Sequence, residues 1–339
     1  MAELVRLRAQ DQEAAPCLSP TSRTPSSANM VEAAGAGAAR RSIALDAAMM
    51  MWGLGTWLGV NGLYVQLPLL VERLPEGWAL PSSMVLAVQL ANVGVFAYAG
   101  LRRLLPRLSD APFIYALLAV GTAALALNAF LYESTALVGG TERSLAFLAL
   151  TFCAALVGCT SSVLFYPYLR HFRDAYLATY LVGEGLSGFV PSVLALVQGV
   201  GGEPECLPGA DGTLYPEYAP PRFDSTVFLL LLSALSAGSL ASFVAITVYR
   251  GFDSERVTPA AAAKDEEATV PRVSLLSARW VGVLALMVAL NALANGVLPS
   301  VQSYSCMPYG AAAYHLAVTL GAMANPAACL AGVWLPPAP

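Results

Sequence analysis

The sequence predicts an all-α, polytopic membrane protein with about eight transmembrane helices. Hydrophobic residues make up 57% of the 339 residues and charged residues only 12%. A soluble core of this length cannot hide so much apolar surface, so lipid is expected to be the main solvent. Apolar runs of about 20 residues, the length that a bilayer core about 30 Å thick requires, also recur along the chain.

The predicted spans are separated by short polar segments. They lie near residues 47–70, 82–101, 112–131, 145–169, 175–200, 225–249, 279–299 and 312–335. Helices are expected because hydrocarbon offers no partner to unpaired backbone polar groups, and the sequence lacks the short alternating segments of a membrane β-barrel.

Positive charges are concentrated on one side of the predicted membrane. Of 18 lysines and arginines, only Arg73, Arg143 and Arg222 fall on the other side. Because lysine and arginine stay in the cytoplasm during insertion, the amino terminus is expected there. The net charge of −4 gives no electrostatic footprint for a nucleic-acid partner.

The chain divides into four predicted parts. Residues 1–45 are polar and rich in Ser, Pro, Ala and Gly, which predicts a disordered cytosolic tail. Residues 46–249 form a first six-helix bundle, and residues 250–278 a cytosolic linker. Residues 279–335 begin a second helical bundle.

Two cysteines fall in predicted external loops, where disulfides form. They are Cys206 and Cys306, whereas Cys17 lies in the tail and the other three lie within spans. A Cys206–Cys306 disulfide is therefore a hypothesis, with two free thiols as the alternative.

Polar side chains form stripes on three predicted spans. Trp57, Asn61 and Tyr64 share one helical face, as do Gln89, Asn92 and Phe96. Asn291 and Asn295 are four residues apart in the seventh span. Amides within a span mark a pathway or binding site, or they bond neighbouring helices together.

Glu184 is the only carboxylate well within a predicted span, which makes it a hypothetical ligand-contacting or proton-coupling group. A neutral, hydrogen-bonded structural acid is the alternative. His315 near the outer end of the eighth span is a weaker hypothesis of the same kind. The sequence has no HExxH, CxxC, GxSxG or Walker motif, so neither an enzyme, a metal site nor a bound cofactor is expected.

Several long strings resemble the eukaryotic riboflavin transporter family, solute carrier family 52. They are GTWLGVNGLYVQLPLLVERLPEGWALPSS (55–83), CTSSVLFYPYL (159–169), VGEGLSG (182–188), LALVQGVG (194–201) and NGVLPSVQSYSCMPYGAAAYHLA (295–317). The resemblance spans all eight helices, and CTSSV and VGEGLSG look most like the third vertebrate member. The family has eleven spans, so the resemblance implies that the second bundle is incomplete here.

The resemblance implies plasma-membrane uptake of riboflavin by ATP-independent alternating access. Riboflavin is neutral, with a flat ring system, a uracil-like edge and a polyhydroxyl tail, so its site needs aromatic faces and amides more than charge. The expected substrate-binding residues are Trp57, Asn61, Tyr64, Gln89, Asn92, Glu184 and Asn295. Family members usually have glutamate at the position of Gln66.

Other functions remain open at this stage. A truncated, non-transporting isoform that assembles with or regulates a full-length carrier is the main alternative. A signalling receptor and a membrane-embedded enzyme are less favoured, since a receptor would have seven helices and an external amino terminus. The sequence does not determine the oligomeric state.

Overall fold

The computed structural model describes residues 42–105, 109–199, 205–208, 214–217, 220–257 and 277–332. Side chains of 205–208, 214–217, 279 and 325–332 are outside this description, as are residues 1–41 of the predicted 1–45 tail and most of the predicted linker. Residues 43–45 of the predicted tail belong to a helix. Residues from Ile43 onward form one compact unit. The division into two bundles stays a prediction.

Helices dominate the described residues. The α-helices are α1 Ile43–Leu54, α2 Leu58–Leu70, α3 Leu80–Leu90, α4 Val93–Leu104, α5 Ala111–Leu131, α6 Leu145–Leu169, α7 Asp174–Gln198, α8 Ser225–Val248, α9 Ala278–Ala292, α10 Leu298–Cys306 and α11 Gly310–Gly332. Three 3₁₀ turns cover Gly77–Ala79, Arg250–Glu255 and Met307–Tyr309, and a π turn covers Leu293–Val297. The strands β1 Ala136–Val138 and β2 Thr141–Arg143 form one antiparallel hairpin, and β3 Glu205–Pro208 and β4 Leu214–Glu217 form another.

The helices confirm a polytopic membrane fold. In the described part of the chain, six helical stretches are long and apolar enough to cross a membrane, and α1 with α2 passes the same test as a pair bent by 50°. The last stretch, Trp280–Ala324, has 45 residues, and a straight α-helix of that length would measure about 67 Å. It is divided at Gly310, whose φ of 80° and ψ of 177° are not helical.

Contacts on both sides of Gly310 show that the chain reverses there. The Ser303 hydroxyl, before the glycine, donates to the Trp78 carbonyl at 3.1 Å, and the Tyr314 ring, after it, lies 5.9 Å from the Trp78 ring. Dividing the stretch gives eight spans among the described residues. Span one is α1 and α2, span two Gly77–Leu104, spans three to six are α5 to α8, span seven runs from α9 to α10, and span eight is α11.

Three predicted boundaries were wrong by several residues. Span one begins at Ile43, span two begins at Gly77, and span seven continues to Cys306. In span seven the helix passes through Pro299 because this residue occupies the first turn of α10, where no helical N–H is lost.

Span one is at the centre of the fold. It packs against spans four, five, six and eight, and two large apolar clusters surround it. The first cluster surrounds α2 and includes Phe147, Phe228 and Leu232. The second surrounds Trp52, which contacts the rings of Phe165, Tyr168, Tyr180 and Phe243.

The proposed Cys206–Cys306 disulfide stays a prediction, because the side chain of Cys206 lies outside the described residues. Cys306, at the end of α10, is half-buried and packs against the apolar cluster around α2. Apolar packing therefore accounts for the location of Cys306, since free cysteine behaves as a small hydrophobic residue.

Candidate functional site

Span one is broken close to its midpoint. Helix α1 ends at Leu54 and α2 begins at Leu58, with two turn bonds from the Gly55 and Thr56 amides to the carbonyls of Trp52 and Gly53. The Ser239 hydroxyl of span six also donates to the Trp52 carbonyl at 3.0 Å. The break is thus stabilised by hydrogen bonds, as buried backbone at membrane depth requires.

The break and α2 present three accessible side chains. Every residue of α2 is buried except Asn61 and Tyr64, and Trp57, which precedes α2, is also half-buried. The structure therefore brings together the predicted stripe of Trp57, Asn61 and Tyr64. Helical periodicity put them on one face, and dense packing around the rest of α2 leaves only that face accessible.

Asn61 lies where three spans meet. Its Nδ2 donates to the Ser187 hydroxyl of span five at 3.4 Å, and that hydroxyl donates to the Glu184 carbonyl at 2.5 Å. A Cβ at Gly188 would lie 3.4 Å from Asn61 Nδ2 and 3.5 Å from the Ala322 carbonyl of span eight. The small residues of GLSG therefore allow spans one, five and eight to approach around this amide.

Span two is interrupted by a turn near its midpoint. Helix α3 ends at Leu90 and α4 begins at Val93, although Gly77–Leu104 remains one continuous stretch. Asn92 Nδ2 donates to the Gln89 carbonyl at 3.0 Å and to Gln89 Oε1 at 3.2 Å. The Asn92 amide thus adds to the backbone hydrogen bonding at the turn.

Span seven has its irregularity at a matching position. The π turn Leu293–Val297 contains Asn295, whose carbonyl accepts from Gln89 Nε2 at 3.1 Å. Asn295 Nδ2 donates to Asn291 Oδ1 at 3.3 Å, and Asn291 Nδ2 to the Met287 carbonyl at 2.9 Å. We call Asn92, Gln89, Asn295 and Asn291 the amide chain.

The amide chain is exposed although it lies in apolar helices. Amides at membrane depth are unfavourable against lipid and normally face the interior of a bundle or a water-filled cavity. The neighbouring face of span two, with Val88 and Ala91, packs against Val60 and Ala155, and Trp57 and Tyr64 lie on this small cluster. Span two therefore carries two residues of the amide chain on one face and packs against Trp57 and Tyr64 with the adjoining face.

The carboxylate of Glu184 lies outside this group of side chains. It accepts a hydrogen bond from the Tyr166 hydroxyl of span four at 2.9 Å. Tyr166 in turn packs edge-on against Tyr180, which packs on Trp52. The carboxylate thus adjoins the aromatic cluster around Trp52, and only the Glu184 carbonyl is linked to Asn61, through Ser187.

Sequence reasoning missed the contribution of span four. The indole of Trp57 lies directly against Gly158, and the Cys159 thiol is 3.6 Å from the Val88 carbonyl. The signal was available as the small-residue run GCTSS at 158–162, since small residues allow close approach in membranes.

The site has aromatic and amide groups but little charge. Within the described spans the carboxylates are Asp46, Asp174 and Glu184, and the first two lie in the first turns of α1 and α7. In the part of the chain that the structure describes, no three His, Cys, Asp or Glu residues are grouped to hold a metal ion. Such a site suits a neutral ligand with a flat ring and hydrogen-bonding edges.

Transmembrane helices that are interrupted at mid-span beside polar side chains are typical of a membrane transporter. The chain belongs to the solute carrier family 52 of riboflavin transporters, whose family model matches residues 41–269 and 251–338. The resemblance noted in the sequence is therefore confirmed.

Relatives include two members of this family at comparable identity. Riboflavin transporter member 2 of Homo sapiens is 41% identical, covering 82% of this chain and 69% of its own. Member 3 of Ailuropoda melanoleuca is 38% identical (84% and 74%), and member 3-B of Danio rerio is 36% identical (84% and 73%). No solved structure matches the chain.

Proposed function

We propose that this protein carries riboflavin across the plasma membrane, independently of ATP, by alternating access. The observation that carries the proposal is the set of interruptions near the midpoints of spans one, two and seven, each beside uncharged aromatic or amide side chains, with Gln89 of span two bonded to Asn295 of span seven. The relatives, which are named riboflavin transporters, support this substrate.

The chemistry of the substrate matches the two groups of side chains. Trp57 and Tyr64 offer ring faces for the isoalloxazine system, and ring stacking is worth about 0.5 to 1.5 kcal/mol beyond area burial. The amides of Asn61, Gln89, Asn92 and Asn295 both donate and accept, as the uracil-like edge and the ribityl hydroxyls require. Glu184 is linked to this site only through its carbonyl and Ser187, and its carboxylate, hydrogen-bonded to Tyr166 beside the aromatic cluster around Trp52, suits coupling to a proton.

The interrupted helices also allow the conformational change that alternating access requires. A helix interrupted at mid-span can tilt one half against the other while its freed backbone groups stay hydrogen-bonded within the protein. Span one carries the accessible stripe and contacts spans four, five, six and eight, so a change at its break is transmitted to most of the bundle.

The distribution of positive charge supports a cytoplasmic amino terminus. Every residue proposed to bind riboflavin lies in a described span. The comparisons give no support to the alternative of a non-transporting isoform. A carrier, not an enzyme, is the function that this family membership favours.

Uptake of radiolabelled riboflavin in cells that lack their own carriers tests the proposal directly. We expect saturable uptake that is insensitive to depletion of ATP and inhibited by lumiflavin, which keeps the ring system without the ribityl tail. Surface biotinylation reports the amount of protein at the membrane. Surface protein without uptake above that of empty vector would refute the proposal.

Replacement of Gln89 by alanine tests the amide chain. This change removes the 3.1 Å bond to the Asn295 carbonyl and one amide from the site. A loss of about 1 to 2 kcal/mol of substrate-binding free energy predicts roughly tenfold lower uptake per surface molecule. Leu90→Ala is the matched control, because Leu90 is the next residue and is 58% exposed. Equal uptake by both variants would exclude Gln89 from the pathway.

A further inference from the structure

We propose that Gly158 of span four positions the indole of Trp57 in the binding site and thereby sets the affinity for a flat ring substrate. The inference rests on the proposed function, because it assigns a further residue to the same site. Gly158 acts through Trp57 and is therefore a positioning residue.

The contact between the two residues leaves no room for a side chain at position 158. A Cβ there would lie 2.7 Å from Cε3, 2.8 Å from Cδ2 and 3.0 Å from Cζ3 of Trp57. Carbon atoms in favourable contact are about 3.5 to 4.0 Å apart. An alanine would therefore displace the ring by roughly 1 Å or push the two helices apart.

The three atoms belong to the carbon edge of the indole that lies opposite its N–H group. Span four thus holds the edge of Trp57 that cannot hydrogen-bond. On the same helix, Ala155 packs with Val60, Val88 and Ala91, and Trp57 lies on that cluster. Small side chains of spans two and four surround the indole, and Gly158 lies directly against it.

The position of Gly158 along its helix agrees with this role. It lies near the midpoint of Leu145–Leu169, as the break of span one lies near the midpoint of its own span. A ring displaced by about 1 Å at the binding depth is expected to lose much of its stacking with substrate, since misplacements of this size weaken positioned interactions strongly.

Close packing of helices is the competing explanation, and the chain offers a control for it. A Cβ at Gly94 of span two would lie 2.6 Å from Thr160 Oγ1 and 3.0 Å from Leu156 Cδ2, on the same helix as Gly158. Gly94→Ala therefore disturbs the packing of spans two and four without a contact to Trp57.

The experiment compares Gly158→Ala and Gly94→Ala in riboflavin uptake, with surface level and detergent melting temperature measured for each. Gly158→Ala is expected to raise KM about tenfold with Vmax per surface molecule nearly unchanged. Gly94→Ala is expected to lower surface level or melting temperature while KM stays within twofold. A KM that rises equally in both variants would overturn the proposal.

A double-mutant cycle with Trp57→Ala provides the second test. Alanine at position 57 lacks every ring atom that an alanine at 158 would strike, so Gly158→Ala is expected to add less than twofold to the KM of Trp57→Ala. A full tenfold effect in that background would overturn the proposal. If Gly158→Ala does not reach the surface, rescue of its surface level by Trp57→Ala supports the proposal and absence of rescue overturns it.

Uptake by the wild-type protein separates a failure of the proposed transport function from a failure of the role assigned to Gly158. Absence of riboflavin uptake by the wild-type chain at the surface contradicts the proposed function. Uptake by the wild type, together with independent effects of Gly158→Ala and Trp57→Ala, contradicts only the role assigned to Gly158.

Discussion

Asn61→Ala is expected to reduce riboflavin uptake per surface molecule by about 10- to 100-fold. Asn61 and Tyr64 are the accessible side chains of an otherwise buried α2, and Asn61 is the one with an amide. A site that hydrogen-bonds its substrate loses roughly 1.4 to 2.7 kcal/mol when that partner is removed, which gives this range. The measurement is initial uptake rate against riboflavin concentration, normalised to biotinylated protein.

Ser187→Ala is the control for the structural contribution of Asn61. It removes the 3.4 Å hydrogen bond between spans one and five but leaves the asparagine amide in place. Hydrogen bonds between membrane helices are worth about 0.6 kcal/mol on average, so we expect uptake to fall less than threefold. An equal loss in both variants would mean that Asn61 serves helix packing and not substrate binding.

Gly183→Ala is expected to have the largest effect on folding. A Cβ at Gly183 would lie 2.0 Å from the Met50 carbonyl oxygen, and one at Gly53 would lie 2.2 Å from the Tyr180 carbonyl oxygen. Spans one and five therefore meet backbone to backbone, and a backbone atom cannot move aside as a side chain can. Overpacking typically lowers the free energy of unfolding by about 1 to 3 kcal/mol, and occasionally by more where the surrounding atoms cannot relax.

The measurement is the fraction of monodisperse protein in detergent and its melting temperature. Gly185→Ala is the matched control, because it lies two residues away on the same helix and a Cβ there meets no atom within 4 Å. We expect Gly183→Ala to lose most folded protein and Gly185→Ala to behave as wild type. Normal folding of Gly183→Ala would contradict the close contact between spans one and five.

Much of the fold could be predicted because membrane insertion depends on local composition. A span needs about 20 apolar residues wherever it lies, so runs of that length located the helices without knowledge of their neighbours. The same local regularity put Trp57, Asn61 and Tyr64 on one face of a helix. The family resemblance followed from strings such as VGEGLSG, which need no structure to recognise.

The breaks at Gly55–Trp57 and Ala91–Asn92 and the π turn around Asn295 could not be located in the same way. Glycine, asparagine and proline also occur in unbroken membrane helices, where neighbouring helices satisfy the freed backbone groups. Whether a helix breaks depends on partners such as Ser239, which lies far along the chain and donates to the Trp52 carbonyl.

The sequence by itself thus determined the fold class, the approximate positions of the spans, the family and the shared helical face of Trp57, Asn61 and Tyr64, because these depend on composition, sequence motifs and helical period. Only the tertiary structure decided that Gln89 meets Asn295, that the Glu184 carboxylate pairs with Tyr166 and that Gly158 faces Trp57. These pairings join residues on different spans. Their geometry depends on how whole helices pack, which no local pattern encodes.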